Sequence, residues 1–156
     1  MDGLKFIALD QDDLAVISTH LQDAVVKVAD VIWMPEDRRL VIGLNRFDWE
    51  ATLDPDPQYR RRRSALRFDR VLSCKCRQVT PADKETVLNL LAVEFDEKDA
   101  PAGCVTLTFS GGAAVRLEVE CLEAELADLG AAWTTSVCPG HPVDDLPSSE
   151  GESARG

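Results

Sequence analysis

Residues 104–109 (CVTLTF) and 114–120 (AVRLEVE) alternate apolar and polar side chains on either side of Ser110-Gly111-Gly112. A period of two marks half-buried strands, so this segment commits the chain to an antiparallel hairpin and hence to a fold built on a sheet. Parity constrains the register. Val105, Leu107 and Phe109 must share a face with Val115, Leu117 and Val119, because directly paired residues point to the same side. A two-residue Gly111-Gly112 turn would set Leu107 against Arg116. The loop is therefore of odd length, three or five residues, with glycine supplying any positive φ. Thr106, Thr108, Arg116, Glu118 and Glu120 then face outward. Residues 121–129 (CLEAELADL) place Leu122, Leu126 and Leu129 at i, i+4 and i+7, which predicts an amphipathic helix closed by Gly130.

Upstream, residues 4–9 (LKFIAL) read as a first strand. Asp10 to Asp13 offer N-cap groups and negative charge for a helix carrying Leu14, Ile17, Ser18 and Leu21, ending near His20 or Gln22. Residues 24–34 are β-rich, with a bulge expected near Ala29-Asp30. After a turn at 35–38, residues 39–47 return as a strand with Leu40, Ile42 and Leu44 on one face. The segment from Asp48 to about Ser64 is irregular, since Asp54-Pro55-Asp56-Pro57 breaks both helix and strand. A strand is expected over 65–78. Arg70 falls on its apolar side and must snorkel, pair with an acid or mark a bulge. Thr80-Pro81-Ala82-Asp83 suggests one helical turn before a strand through 86–95. No internal repeat is present.

These elements predict an α+β fold: a largely antiparallel sheet of about seven strands, an N-terminal helix and a closing C-terminal helix. A pleckstrin-homology-like barrel is the architecture they suggest, and the early helix leaves an open α+β sheet as the alternative. Residues 1–133 are expected to form a single globular domain, and residues 134–156, rich in Pro, Ser, Gly and acid, a disordered tail.

No apolar run approaches the roughly 18 residues that span a bilayer. The opening MDGLKFIALD has an acidic second residue and too few apolar positions for a signal peptide, which places the expected setting in the cytoplasm. Net charge is −11, unevenly spread. Residues 60–77 hold eight of the seventeen basic residues against one acid, Asp69, so this stretch carries +7 and the remainder −18. An acidic bulk argues against a general nucleic-acid binder, while the local patch keeps polyanion or RNA binding through Arg60, Arg61, Arg62 and Arg63 as an alternative. Five cysteines are an odd set that suits reduced thiols better than a disulfide framework.

Several groups carry chemical potential, each with a plainer reading beside it. Cys74 and Cys76, with Cys138 and His141, contain enough ligand types for zinc, but residues two apart on a strand sit too far apart for a metal knuckle; a core thiol pair is the simpler assignment. No metal or other cofactor is expected. The arginine run suits phosphate or acidic groups, or else solvated loop charge. Asn45, Arg46, Asp48, Trp49 and Glu50 lie where a strand ends, a favourable pocket rim, although Phe47 and Trp49 can simply pack while the charges pair. Asp48 and Glu50 are an acid/base candidate pair. His20 fits a helix C-terminus. Ser18 and Ser73 lack a nucleophile-elbow context. Glu118, Glu120, Glu123, Glu125 and Asp128 read as a solvated acidic face. No Walker A, dinucleotide-binding or HExxH pattern is present.

The stretches LDQDDLAVISTHLQDAVVKV (9–28), NRFDWE (45–50) and SGGAAVRLEVECLEAELADLG (110–130) resemble a small alphaproteobacterial family of unknown function. Its genes often lie near histidinol dehydrogenase. The resemblance implies a cytoplasmic setting and supplies no catalytic residue. The function the sequence favours is a non-enzymatic binding or adaptor domain for a protein or small ligand. Its alternatives are a cofactor-free enzyme using Asp48, Glu50 or His20, and the polyanion binder.

Overall fold

Period-two alternation turns most of this chain into strand, and left-handed residues at Arg38, Arg70, Gln78, Asp99, Gly111 and Gly112 lie in several of the turns between strands. A computed structural model describes residues 4–47, 60–129 and 133–134. The strands are β1 (Lys5–Ala8), β2 (Ala24–Lys27), β3 (Val31–Met34), β4 (Arg39–Phe47), β5 (Arg60–Phe68), β6 (Val71–Arg77), β7 (Val87–Glu97), β8 (Gly103–Phe109), β9 (Ala114–Val119), β10 (Ala124–Asp128) and β11 (Trp133–Thr134). One helix, α1 (Gln11–His20), is present among the described residues. The main sheet runs in the order β1-β10-β5-β4-β2-β7-β8-β9-β6, with β3 added to β4 and β11 to β5.

The expected α+β class, about seven strands closed into a pleckstrin-homology-like barrel by a C-terminal helix, is corrected by this arrangement. The molecule is mainly antiparallel β, with eleven strands in one sheet among the described residues. Its terminal strands, β1 and β6, each pair with one neighbour, so the sheet stays open. The predicted helix over 121–129 is strand β10, which fills the slot between β1 and β5. Leu122, Ala124 and Leu126 are buried, a period-two pattern that competes with the leucine spacing of a helix. Leu129, assigned to the helical core stripe, is 48% exposed.

The hairpin has the expected parity. Val105 pairs with Leu117 and Leu107 with Val115. The Phe109 amide donates to the Ala113 carbonyl (2.8 Å), enclosing Ser110 to Gly112 in a three-residue loop. Gly111 and Gly112 adopt φ of 75° and 83°, where a side chain would be strained. The long strand expected over 65–78 is two strands, because Arg70 turns the chain at φ 60° and its guanidinium reaches Glu123. The β-rich run 24–34 is likewise divided: a 3₁₀ turn at Val28–Asp30 lets β2 pair with β7 while β3 pairs with β4. The segment 86–95 lies, from Val87 on, in strand β7, and of the expected tail only Thr134, in β11, is described, residues 135–156 lying outside the described set.

Asp10 begins α1 by accepting from the Asp13 amide (2.8 Å), and Leu14, Ile17 and Leu21 enter a core shared with both halves of the sheet. The helix also covers the part of the β7 edge that β2 leaves bare. The Val93 amide donates to Ser18 Oγ (2.9 Å), and Gln11 Nε2 donates to the Phe95 carbonyl (3.0 Å). Side chains thus replace a missing strand, and an unpaired sheet edge is closed.

Strand and helix make opposite predictions at residues 126 and 129. Leu126→Ala should cost about 2–5 kcal/mol of unfolding free energy in urea titrations. Leu129→Ser should stay within about 0.5 kcal/mol, as an exposed position does. A helical segment would make both substitutions costly.

Candidate functional site

Two clusters of polar groups stand out, one at each end of the folded sheet. The first follows from inward-facing parity. Leu40, Ile42 and Leu44 of β4 point into the core, and Arg46 continues their side. Across the ladder Leu44 faces Ser64 and Arg46 faces Arg62, so two arginines oppose each other directly. Like charges at facing positions repel. On the other side of β5, Asp128 faces Ser64 and supplies the compensating charge.

Asp128 is saturated. Its Oδ1 accepts from Arg46 Nε (2.9 Å) and Ser64 Oγ (2.6 Å), and its Oδ2 from Arg46 Nη2 (2.8 Å) and the Leu4 amide (2.8 Å). Arg62 Nε lies 3.9 Å from Oδ2. The Arg46 and Asp128 side chains are 1% and 0% exposed. Burial pushes the Asp128 carboxyl up, but the hydrogen bonds from Arg46, Ser64 and Leu4 and the charge of Arg46 outweigh it, leaving a pKa of about 2. The fork-to-fork geometry fixes both side chains in one orientation.

The opposite face of the same strands is also occupied. Arg61 pairs with Phe47 across the ladder, its guanidinium carbon 6.0 Å from the ring centroid. Arg63 bonds Asn45 Oδ1 (3.3 Å) and Asp30 Oδ2 (3.1 Å). Further along, a ladder of ion pairs crosses four strands. Asp69 accepts from Arg39 Nε (2.7 Å) and Arg67 Nε (2.8 Å), Arg67 Nη1 donates to Glu125 (2.6 Å), and Lys5 lies 3.4 Å from Glu125. Burial raises the Asp69 pKa, and the two arginines bring it below the ordinary value.

The second cluster is concave. A surface pocket of ≈ 340 Å³ opens where α1 meets the far end of β7, lined by Leu9, Asp10, Gln11, Asp12, Phe95, Glu97, Pro101, Cys121 and Leu122. Phe95 and Leu122 are buried in its floor, while Leu9 is an exposed apolar side chain at its wall. Asp12 and Glu97 are exposed carboxylates at the rim.

Of the residues singled out from the sequence, Asn45, Arg46, Arg61 and Arg62 are buried, and Arg63 is half-buried. Arg60 begins β5, facing Thr134, with its side chain outside the described set. Asp48, Trp49, Glu50, Cys138 and His141 lie outside the described residues. The structure joins Arg46 to Arg62 around Asp128. His20 instead packs against Phe6, with ring centroids 5.6 Å apart. Ser18 holds the β7 edge. Asp128, read as one of a solvated acidic face, is the residue the sequence misplaced. The signal was available: alternation through 122, 124 and 126 puts residue 128 inward, as alternation through 40, 42 and 44 does for Arg46. The pocket at Asp10, Asp12 and Glu97 had no signal, because α1 and β7 are distant in sequence.

A family model described as a protein of unknown function (DUF2948) matches residues 4–141. No curated protein and no solved structure matches the chain. Among the described residues, no helix is long and apolar enough to cross a membrane.

Asp128 makes stability depend on acid pH with a definite sign. Its folded pKa, about 2, lies below the ordinary 3.8. Its contribution is therefore fully present above about pH 5 and is lost as pH falls through about 2. The amount is about 2 kcal/mol. Urea midpoints measured from pH 5 down to pH 2 should fall more steeply for wild type than for Asp128→Asn, which lacks the titrating group.

Proposed function

The chain belongs to the DUF2948 family of proteins of unknown function, and from its own geometry we propose that it is a cytoplasmic binding domain for a protein partner, which presents a lysine or arginine side chain to the α1–β7 pocket. The composition of that pocket carries the reading. Leu9, Phe95, Pro101 and Leu122 offer an apolar surface for an aliphatic stem, and Asp10, Asp12 and Glu97 offer carboxylates for a cationic head. Lysine and arginine are the side chains that combine both parts.

The local electrostatics favour a cation over an anion. A helix N-terminus attracts anions through its unsatisfied amides. Here the Asp13 amide is taken by Asp10, the Leu9 amide donates to Asp13 Oδ2 (3.2 Å), and three acidic residues crowd the turn. A phosphate would meet negative charge there. The net charge of −11 adds a long-range field that draws a basic partner.

The alternative of a polyanion bound by residues 60–63 gains less support. Arg61 and Arg62 are buried and Arg63 is engaged with Asp30 and Asn45, so these side chains face protein groups first. A cofactor-free enzyme would draw on Asp48 and Glu50, which lie outside the described residues, and on His20, which packs on Phe6.

An NMR titration with an oligolysine peptide tests the proposal. Amide shifts should concentrate at residues 9–12, 95–97 and 121–122, and should vanish in the double variant Asp12→Asn/Glu97→Gln, which keeps the Asp10 cap. Shifts spread over the whole acidic surface and unchanged in that variant, or no shifts at all, would contradict it.

A further inference from the structure

Cys74 and Cys76 remain unabsorbed by the binding reading. They lie opposite Leu117 and Val115 of β9, so both point to the same side of β6. Cys74 is partly buried and packs against the core, whereas Cys76 is exposed. Among the described residues, β6 pairs with β9 and no strand occupies its outer edge. The pair is thus reachable from solvent at one sulfur and shielded at the other.

Strand geometry separates the two ways such thiols can be joined. A disulfide needs sulfurs about 2 Å apart. Same-side residues on a strand are spaced by roughly 6.6 Å of rise, at the far limit of the Cα separation a disulfide accepts, so that bond would draw β6 tighter than its ladder with β9 allows. An ion between the sulfurs spans a wider gap and leaves the ladder intact. Among the described residues, no group of three or more His, Cys, Asp and Glu side chains is placed to hold a metal. Zinc prefers four ligands. A donor set of two thiolates on an apolar strand face suits a soft ion instead.

We propose that Cys74 and Cys76 form a two-thiolate site for a soft monovalent cation of the Cu(I) class. Binding forms two sulfur–metal bonds and releases the two thiol protons to solvent, with no change of oxidation state. Ser73, Lys75 and Arg77 take no part as ligands. The buried Cys74 anchors the ion and the exposed Cys76 admits it.

The test is an anaerobic titration of the full chain with Cu(I) buffered by bathocuproine disulfonate, whose absorbance reports the metal it loses. Wild type should withdraw one equivalent. Cys76→Ser, an exposed substitution whose folding is verified by its thermal melt, removes one of the two ligands and should abolish the withdrawal. Cys121→Ser should leave it unchanged. X-ray absorption of the loaded chain should show two sulfur neighbours. Failure to withdraw Cu(I), or equal affinity in wild type and Cys76→Ser, would overturn the assignment.

Discussion

Arg46 and Arg62 face each other across β4 and β5 with their side chains removed from solvent, and Asp128 reaches them from the next strand with compensating charge. Breaking one side of such a pair leaves an uncompensated buried charge, which costs more than the pair itself contributes. The consequence is specificity of position. β10 must lie against β5 in the register that brings Asp128 opposite Ser64, and β1 must lie against β10 so that the Leu4 amide meets the same carboxylate. One carboxylate therefore fixes the order β1-β10-β5-β4. The hydrophobic contacts of Leu126, Leu66 and Ile42 supply burial along these strands, but a slip that kept them apolar would strand the arginines.

At the other end, α1 solves a different problem. β7 is longer than the partner β2 offers, and Ser18 and Gln11 satisfy backbone groups where no strand reaches. Holding the helix there creates the pocket, because the N-terminal turn with its carboxylates is brought against Phe95 and Leu122. The same docking that closes an edge thus builds the concave surface to which binding is assigned. Arg46, Arg62 and Asp128 are turned inward together, whereas Asp10, Asp12 and Glu97 at the pocket remain exposed.

Legibility in the sequence followed the strength of the local pattern. The hairpin of β8 and β9 was readable because parity and a glycine loop agree, and α1 because Asp10 caps an apolar stripe. β10 was not, since Leu122, Leu126 and Leu129 satisfy a helical repeat while Leu122, Ala124 and Leu126 satisfy a strand. The strand repeat wins through pairing with β1 and β5, which lie over fifty residues away in the chain. An aspartate at the next inward position then hides the alternation, because an acid reads as surface. The arginine run misled in the same way. Residues 60–63 look like solvated loop charge, yet Arg61, Arg62 and Arg63 alternate faces of a strand and find Phe47, Asp128, Asn45 and Asp30 on the two sides. Polar residues at core positions are where period-based reading fails, and here they are where the fold is specified.

The most direct test is a double-mutant cycle at Arg46 and Asp128. Unfolding free energies of Arg46→Met, Asp128→Leu and the double variant would be measured in urea at neutral pH. If the pair fixes the order of the strands by charge compensation, each single variant is less stable than the double, and the coupling energy is at least about 2 kcal/mol. Additive losses, with the double variant the least stable of the three, would show that the two residues act independently and that another interaction holds β10 in place.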